Sequence, residues 1–205
     1  FIAMKKAADI FVSSGIKIKH IDLGGGFHIK YNKNDPEFKL QDIKKELDTV
    51  FDSSNYELSF EPGRYLIAEA GILVTSIINT KSNGRVNYLI VDAGMNTLIR
   101  PAMYNAHHDI EAINNKTKNS ENYTVAGPIC ESSDIITKEV NLPQQEPDDY
   151  LAILDTGAYG SSMASNYNSR EKPTEILVNK NNFAVIRLQE NISEIIKRDL
   201  IPEWL

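Results

Sequence analysis

Residues 127–134 read GPICESSD and hold the one cysteine of the chain, Cys130, beside a carboxylate, Glu131. A free cysteine is most often a small buried filler. A neighbouring carboxylate opens another use. It disfavours the thiolate, so the sulfur keeps a proton that it can deliver to a reacting atom. Such a thiol suits a general acid better than a covalent nucleophile. No Ser–His–Asp or Cys–His arrangement competes with it.

Two further stretches could bind an anion. Leu23–Phe27 read LGGGF, and three glycines after an apolar strand let backbone N–H groups approach a phosphate with no Cβ in the way. The plain alternative is a strand-end turn. Glu61–Arg64 read EPGR, where Pro62 and Gly63 bend the chain sharply and Arg64 can grip an anion with two N–H groups. Glu61 is then left in the same mouth. A carboxylate next to a phosphate makes sense if something cationic lies between them, as in a protonated pyridine ring that carries a phosphate. The alternative here is a Glu61–Arg64 salt bridge.

Asp92–His108, DAGMNTLIRPAMYNAHH, offers Arg100 and Tyr104, a guanidinium and a phenol that together can hold a carboxylate. A surface loop with an ordinary arginine is the alternative. His107 and His108 have no cysteine or acid at zinc spacing, which argues against a metal site. Leu154–Arg170, LDTGAYGSSMASNYNSR, places Tyr159 between glycines, either as an exposed phenol or as a core tyrosine.

The elements behind these residues fall into two halves. Met4, Ala7, Ala8 and Phe11 recur at helical spacing and Gly15 stops the helix. IKIKHID is a strand ending in the glycines. Leu40, Ile43, Leu47, Val50 and Phe51 mark a second helical face, and ELSF is a strand that runs into EPGR. Helix, strand, helix, strand is the rhythm of a parallel α/β unit, with both unusual loops at strand C-termini. After Gly71 the chain reads as mostly β. VNYLIVDAG, YTVAGPIC, DYLAILDTG, EILVNK and NFAVIRL are short strands between Gly, Pro and Asn breaks. Residues 114–122 read as a polar surface loop, and 190–201 as a closing helix.

Composition narrows the class. The 205 residues are 41% hydrophobic and 24% charged, ordinary for a globular chain. The net charge of −6 argues against a nucleic-acid partner. One cysteine cannot form an intrachain disulfide, which fits a reducing, cytoplasmic setting. The longest apolar run, residues 65–78, is too short for a membrane span and is interrupted by Glu69. Phe1 already reads as the inside of a helix, so the chain is expected to start within a longer protein.

Taken in order, HIDLGGGF, EPGRYLIAEAG, VDAGMNTLIRPAMY, GPICESSD and DTGAYGSSMASNYNSR resemble the diaminopimelate decarboxylases. These are pyridoxal-phosphate enzymes of the alanine-racemase-like fold (fold type III). Related ornithine and arginine decarboxylases share the glycine run, EPGR and a Cys–acid pair. RPAMY and GAYGSSMASNYNSR look more like the diaminopimelate branch.

The resemblance implies a fold: the last strands of a pyridoxal-phosphate-binding β/α (TIM-like) barrel over 1–70, then a Greek-key β domain with a short closing helix over 71–205. It implies that Gly24, Gly25 and Gly26, with the Pro62–Gly63–Arg64 turn, hold the cofactor phosphate. Glu61 would face the pyridine nitrogen, and Tyr159 would touch both cofactor and substrate. Arg64, Arg100 and Tyr104 would bind the remote carboxylate of meso-diaminopimelate, and Glu131 its distal ammonium. Cys130 would protonate the α-carbon once CO2 has left, giving L-lysine.

The resemblance also implies a homodimer with shared active sites. The Schiff-base lysine and a ring-stacking histidine of such enzymes lie in an N-terminal half that these residues do not match. Lys81, Lys138 and Lys180 sit in polar contexts unsuited to that role. The chain is therefore expected to be the C-terminal half, inactive without the rest. A decarboxylase of another basic amino acid or carboxylated polyamine, and a non-catalytic binding homologue, are the alternatives.

Overall fold

The computed structural model describes all residues except Lys33, Ser53, Asn55 and 115–118. The chain divides into two compact units, Phe1–Glu69 and Ala70–Leu205.

The first unit runs α1 (Ile2–Ser13), β1 (His20–Asp22), α2 (Leu40–Phe51), β2 (Glu57–Ser59) and α3 (Gly63–Ile67). The strands β1 and β2 pair in parallel, His20 opposite Glu57 and Asp22 opposite Ser59. Gly15, at φ +88°, takes the left-handed turn just after α1. The core is thin: Ala8, Ile21 and Phe51 are buried, with Leu23, Leu47, Val50 and Leu58 packed on them. This corrects the expected apolar face of α1. Of Met4, Ala7, Ala8 and Phe11, only Ala8 is buried, because a sheet two strands wide is narrower than the face laid over it. The first strand is also shorter than IKIKHID, since β2 offers three residues to pair with.

The second unit contains β3 (Leu73–Ser82), β4 (Asn87–Val91), α4 (Arg100–Tyr104), β5 (Ile110–Ala112), β6 (Ser120–Ala126), β7 (Ile135–Pro143), β8 (Tyr150–Ile153), β9 (Glu175–Asn179), β10 (Asn182–Arg187) and α5 (Ile192–Ile196). Six strands form one sheet in the order β5-β8-β3-β4-β6-β7. Its β4–β6 pair is parallel and its other pairs are antiparallel. Ile77, Leu89, Val91, Leu98, Val125, Leu151 and Ile153 fill its core. The strands β9 and β10 make a separate antiparallel hairpin. The fold class, α/β followed by a β-rich unit, is as the sequence reads.

Several expectations need correction. Residues 115–118 of the anticipated polar loop lie outside the described residues, and Ser120–Asn122 of the same stretch belong to β6. The closing helix covers only Ile192–Ile196 of 190–201, its start fixed by the Asn191 side chain, which accepts from the Ser193 N–H. The sequence pattern does not mark β3, β5 or β7 as strands. Of these, β7 carries Thr, Lys, Glu and Asn among its apolar residues, and its partial burial follows that mixture.

Candidate active site

In the first unit the two glycine-bearing loops are built against each other. Beyond the end of the parallel pair, the Leu23 N–H donates to the Ser59 carbonyl at 3.0 Å and the Glu61 N–H to the Gly24 carbonyl at 2.9 Å. A Cβ on Gly25 would lie 3.0 Å from the Glu61 carbonyl oxygen, so the close approach of the loops depends on glycine there. Gly24 (φ +73°) and Gly26 (φ +92°) take the left-handed conformation that favours glycine.

The Gly24 N–H bonds Asp22 Oδ1 at 2.7 Å, and the Gly63 N–H bonds the Glu61 carbonyl at 2.9 Å. These two amides therefore shape the turns instead of facing outward. Among the described residues, no acceptor takes the N–H of Gly25 or Gly26. The Gly24 amide holds the Asp22 carboxyl below its ordinary range. Behind the loops sits a group of aromatic rings: Phe27 meets Phe60 at 5.5 Å and Phe38 at 5.6 Å, and Phe38 meets Tyr65 at 5.5 Å, all edge to face. Phe27 follows the glycines while Phe60 and Tyr65 flank EPGR, so the rings clasp the two loops together.

No ion pair joins Glu61 and Arg64 among the described residues; the Arg64 guanidinium lies over the Tyr31 ring instead. The salt-bridge alternative is thus not what forms. Glu61 is exposed and Arg64 half-buried. Two backbone amides on exposed glycines, with no acceptor among the described residues, and an arginine are a donor set that suits a phosphate dianion. An exposed carboxylate on the same corner suits a cationic ring nitrogen. The residues present fit a phosphorylated pyridine cofactor.

The second unit holds the remaining candidates. Helix α4 begins at Arg100 and ends at Tyr104, four residues apart and hence on one face. Arg100 is 5% exposed and Tyr104 60%. The arginine is therefore no ordinary surface residue. Tyr159 is 44% exposed and stands at φ +60°, which corrects the core alternative. A bulky residue held in that region is strained, and such strain concentrates at ligand sites.

Cys130 is exposed, which removes the filler reading. Its loop is fixed from below by Asp134, whose carboxylate is buried. Asp134 Oδ1 accepts from the Met95 N–H and Oδ2 from the Ile129 N–H, each at 2.7 Å. One donor is in the loop after β4 and the other in the thiol loop, so a single carboxylate ties the two together. Gly94 and Gly127 press on the same carboxylate: a Cβ on Gly94 would lie 2.9 Å from Oδ2, and one on Gly127 would run into it. Burial raises the Asp134 carboxyl above its ordinary range, against the two amides that lower it. Arg170 faces the same junction and donates to the Asp92 carbonyl at 3.3 Å.

Glu131 receives a hydrogen bond from the Tyr167 hydroxyl. That bond to a carboxylate pushes the phenol above its ordinary range. Tyr167 lies in a 3₁₀ turn, and the neighbouring Ser165 N–H donates to the Asn96 carbonyl at 2.8 Å. Thus the segments carrying Arg100, Cys130, Glu131 and Tyr167 are bonded into one network. Sequence reasoning gave no role to Asp134, Tyr167 or the aromatic clasp. The available signals were an aspartate placed directly before a strand, and a tyrosine isolated among Ser and Asn. Among the described residues there is no cluster of three His, Cys, Asp or Glu able to hold a metal, and no helix long and apolar enough to cross a membrane.

Comparison with known proteins places this geometry. The diaminopimelate decarboxylase of Aquifex aeolicus is 37% identical over 97% of the chain and 48% of its own length. The crystal structure of diaminopimelate decarboxylase from Helicobacter pylori, complexed with L-lysine, superposes with a TM-score of 0.86 at 38% identity, covering 95% of this chain and 48% of that one. The diaminopimelate decarboxylase structure from M. jannaschi gives a TM-score of 0.91 at 35% identity, over 98% and 48%. The chain spans about half the length of the curated relatives it matches. Residues 10–157 match the family described as pyridoxal-dependent decarboxylase, C-terminal sheet domain, and with loops suited to that cofactor the chain belongs to the pyridoxal-dependent decarboxylases.

Proposed function

We propose that the chain is the C-terminal portion of an enzyme that converts meso-2,6-diaminopimelate to L-lysine and CO2. The observation that carries this is the exposed Cys130–Glu131 pair, its carboxylate held by Tyr167, in a chain 37% identical to a protein of that name. On this reading, residues 1–70 complete a β/α barrel and 71–205 form the β domain.

The Gly25 and Gly26 amides and the Arg64 turn hold the phosphate of pyridoxal phosphate, with Gly24, Pro62 and Gly63 shaping the loops. Glu61 keeps the ring nitrogen protonated, and Tyr159 contacts the cofactor. When bound, that group supplies an electron-accepting ring that stabilises negative charge on the reacting carbon. Arg64, Arg100 and Tyr104 bind the remote carboxylate, and Glu131 pairs with the distal ammonium. The bond from Cα to its carboxylate breaks, CO2 leaves, and Cys130 Sγ–H gives its proton to Cα. The thiolate then regains a proton from water, so one proton is consumed for each CO2 released.

Lys81, Lys138 and Lys180 are all exposed, which supports a covalent lysine anchor supplied from the remainder of the enzyme. We propose that residues 1–205 alone are inactive, and that the whole enzyme is a homodimer whose thiol loop serves the partner's site.

The test is substrate profiling of the full-length enzyme. Turnover of meso-diaminopimelate, with none of ornithine or arginine, is expected. The reverse pattern would assign another basic substrate, and absence of a pyridoxal absorption band would leave a binding module. Cys130→Ala should keep the band and lower kcat by about 10²–10⁴, the usual contribution of a general acid. Unchanged turnover would return Cys130 to a passive role.

A further inference from the structure

The proposed reading does not use the histidine pair that follows α4. His107 is exposed and pairs with Asp109 at 2.8 Å. His108 is 1% exposed, and its partners include Arg100 and the Leu154 backbone. Its Nε2 is 3.1 Å from Arg100 Nη1, and its Nδ1 is 2.9 Å from the Leu154 carbonyl oxygen. A guanidinium can only donate and a carbonyl can only accept. Only the neutral imidazole with its proton on Nδ1 satisfies both. The ring is itself anchored: the Leu154 N–H donates to the Asp109 carbonyl at 2.9 Å, and Ile110 pairs with Ile153 in the β5–β8 ladder. Leu154 leads directly into the stretch that ends at Tyr159.

We infer that His108 is a positioning residue that aims the Arg100 guanidinium, taking its own orientation from the backbone that leads to Tyr159. The inference rests on the proposed role of Arg100 in binding the substrate's remote carboxylate. An arginine side chain has many rotamers, and a fixed acceptor at Nη1 removes most of them before substrate arrives. The effect should therefore fall on substrate binding and leave the chemical step alone. Burial, and secondarily the charge of Arg100, hold the imidazole below its ordinary 6.5, against the Leu154 bond, which raises it.

The experiment uses the full-length enzyme. With 15N-labelled histidine, the His108 ring should show the neutral Nδ1–H tautomer near pH 7, well within the range where a free histidine titrates. An Nε2–H tautomer or an imidazolium would overturn the inference whatever the kinetics. Two variants separate positioning from bulk. His108→Gln can still present an oxygen to Arg100 but loses the bond to Leu154. His108→Asn can still donate to Leu154 but withdraws the acceptor from Arg100.

His108→Asn should raise the KM for meso-diaminopimelate about tenfold, the cost of one lost hydrogen bond to a charged group, with kcat little changed. His108→Gln should recover much of that loss. Equal KM values in the two variants, or a fall in kcat alone, would overturn it. Arg100→Lys tests the underlying reading separately. If it leaves KM unchanged, the role of Arg100 in substrate binding fails. If it raises KM while His108→Asn does not, only the positioning role fails.

Discussion

The Gly24–Arg64 corner and the Gly127–Asp134 loop are both made of glycine and tight turns, yet they are fixed in different ways. The first is held by backbone bonds between strand ends and by aromatic rings around Phe27, beside a small core cluster of Ala8, Ile21 and Phe51. The second is held by a buried carboxylate, Asp134, which ties the thiol loop to the loop after β4, and in the same unit the buried Arg100 is bonded to the buried His108. The difference follows from what each must present. An anion cradle needs outward amides, so it must be supported by groups that do not compete for them. A thiol, a carboxylate and a guanidinium must be aimed, and aiming takes directional bonds in a place where water cannot replace them.

The contrast predicts unequal sensitivity. Asp134→Ala should be the most damaging change, leaving the Met95 and Ile129 amides without their acceptor. At about 1–3 kcal/mol for each unsatisfied buried donor, the loss should be about 3 kcal/mol in denaturant unfolding. Asp134→Asn should recover less than half, since its amide can accept from one N–H but must turn a donor towards the other. A change of a few tenths of a kcal/mol in Asp134→Ala would mean that water supports the loops, and the contrast between the two regions would collapse.

A matched pair of glycine substitutions sharpens the point. Gly127→Ala drives a methyl into the Asp134 carboxylate and to within 2.6 Å of Gly94 Cα, where neither neighbour can yield. The strain should cost about 2 kcal/mol, within the range of overpacked interiors. Gly25→Ala meets only the Glu61 carbonyl at 3.0 Å, on an exposed corner that can give by a few tenths of an ångström. It should cost about 1 kcal/mol or less by the same scale. Comparable losses from both would show the cradle to be as rigidly packed as the thiol loop.

How much of this was legible in the sequence depended on the range of the interaction. Parallel β1–β2, the helices α1 and α2, and β4, β6 and β8 of the large sheet follow from local periodicity and from Gly and Pro breaks, whereas β3, β5 and β7 do not. The site stretches were visible because rare residue types stand together: three glycines, EPGR, and Cys beside Glu. What escaped was set by partners far along the chain. Asp134 takes its role from Met95, Tyr167 from Glu131, and His108 from Arg100 and Leu154 at once. In the sequence His107 and His108 look equivalent; only burial separates the surface member from the one in the network. The faces of α1 failed for a related reason: periodicity shows which residues can be covered, while the width of the sheet decides which are.

The smallest effect concerns the turn at Gly24. Its amide bonds Asp22 Oδ1 at 2.7 Å, and this bond is the main cause of the lowered Asp22 carboxyl. A carboxyl whose folded value is lowered stabilises the fold above its unfolded range, and loses that contribution as pH falls through the folded value. The Gly24 amide resonance should therefore titrate with a midpoint below 3.8, the ordinary aspartate value, and the amides of Met95 and Ile129 should follow Asp134 with a midpoint above it. Asp22→Ala should abolish the Gly24 transition and should weaken the turn relative to wild type at neutral pH, a difference that closes in acid. Gly24 and Met95 titrating together would mean that the two carboxylates share one kind of environment. The distinction between a cradle held by exposed backbone bonds and a loop held by a buried charge would then have no electrostatic basis.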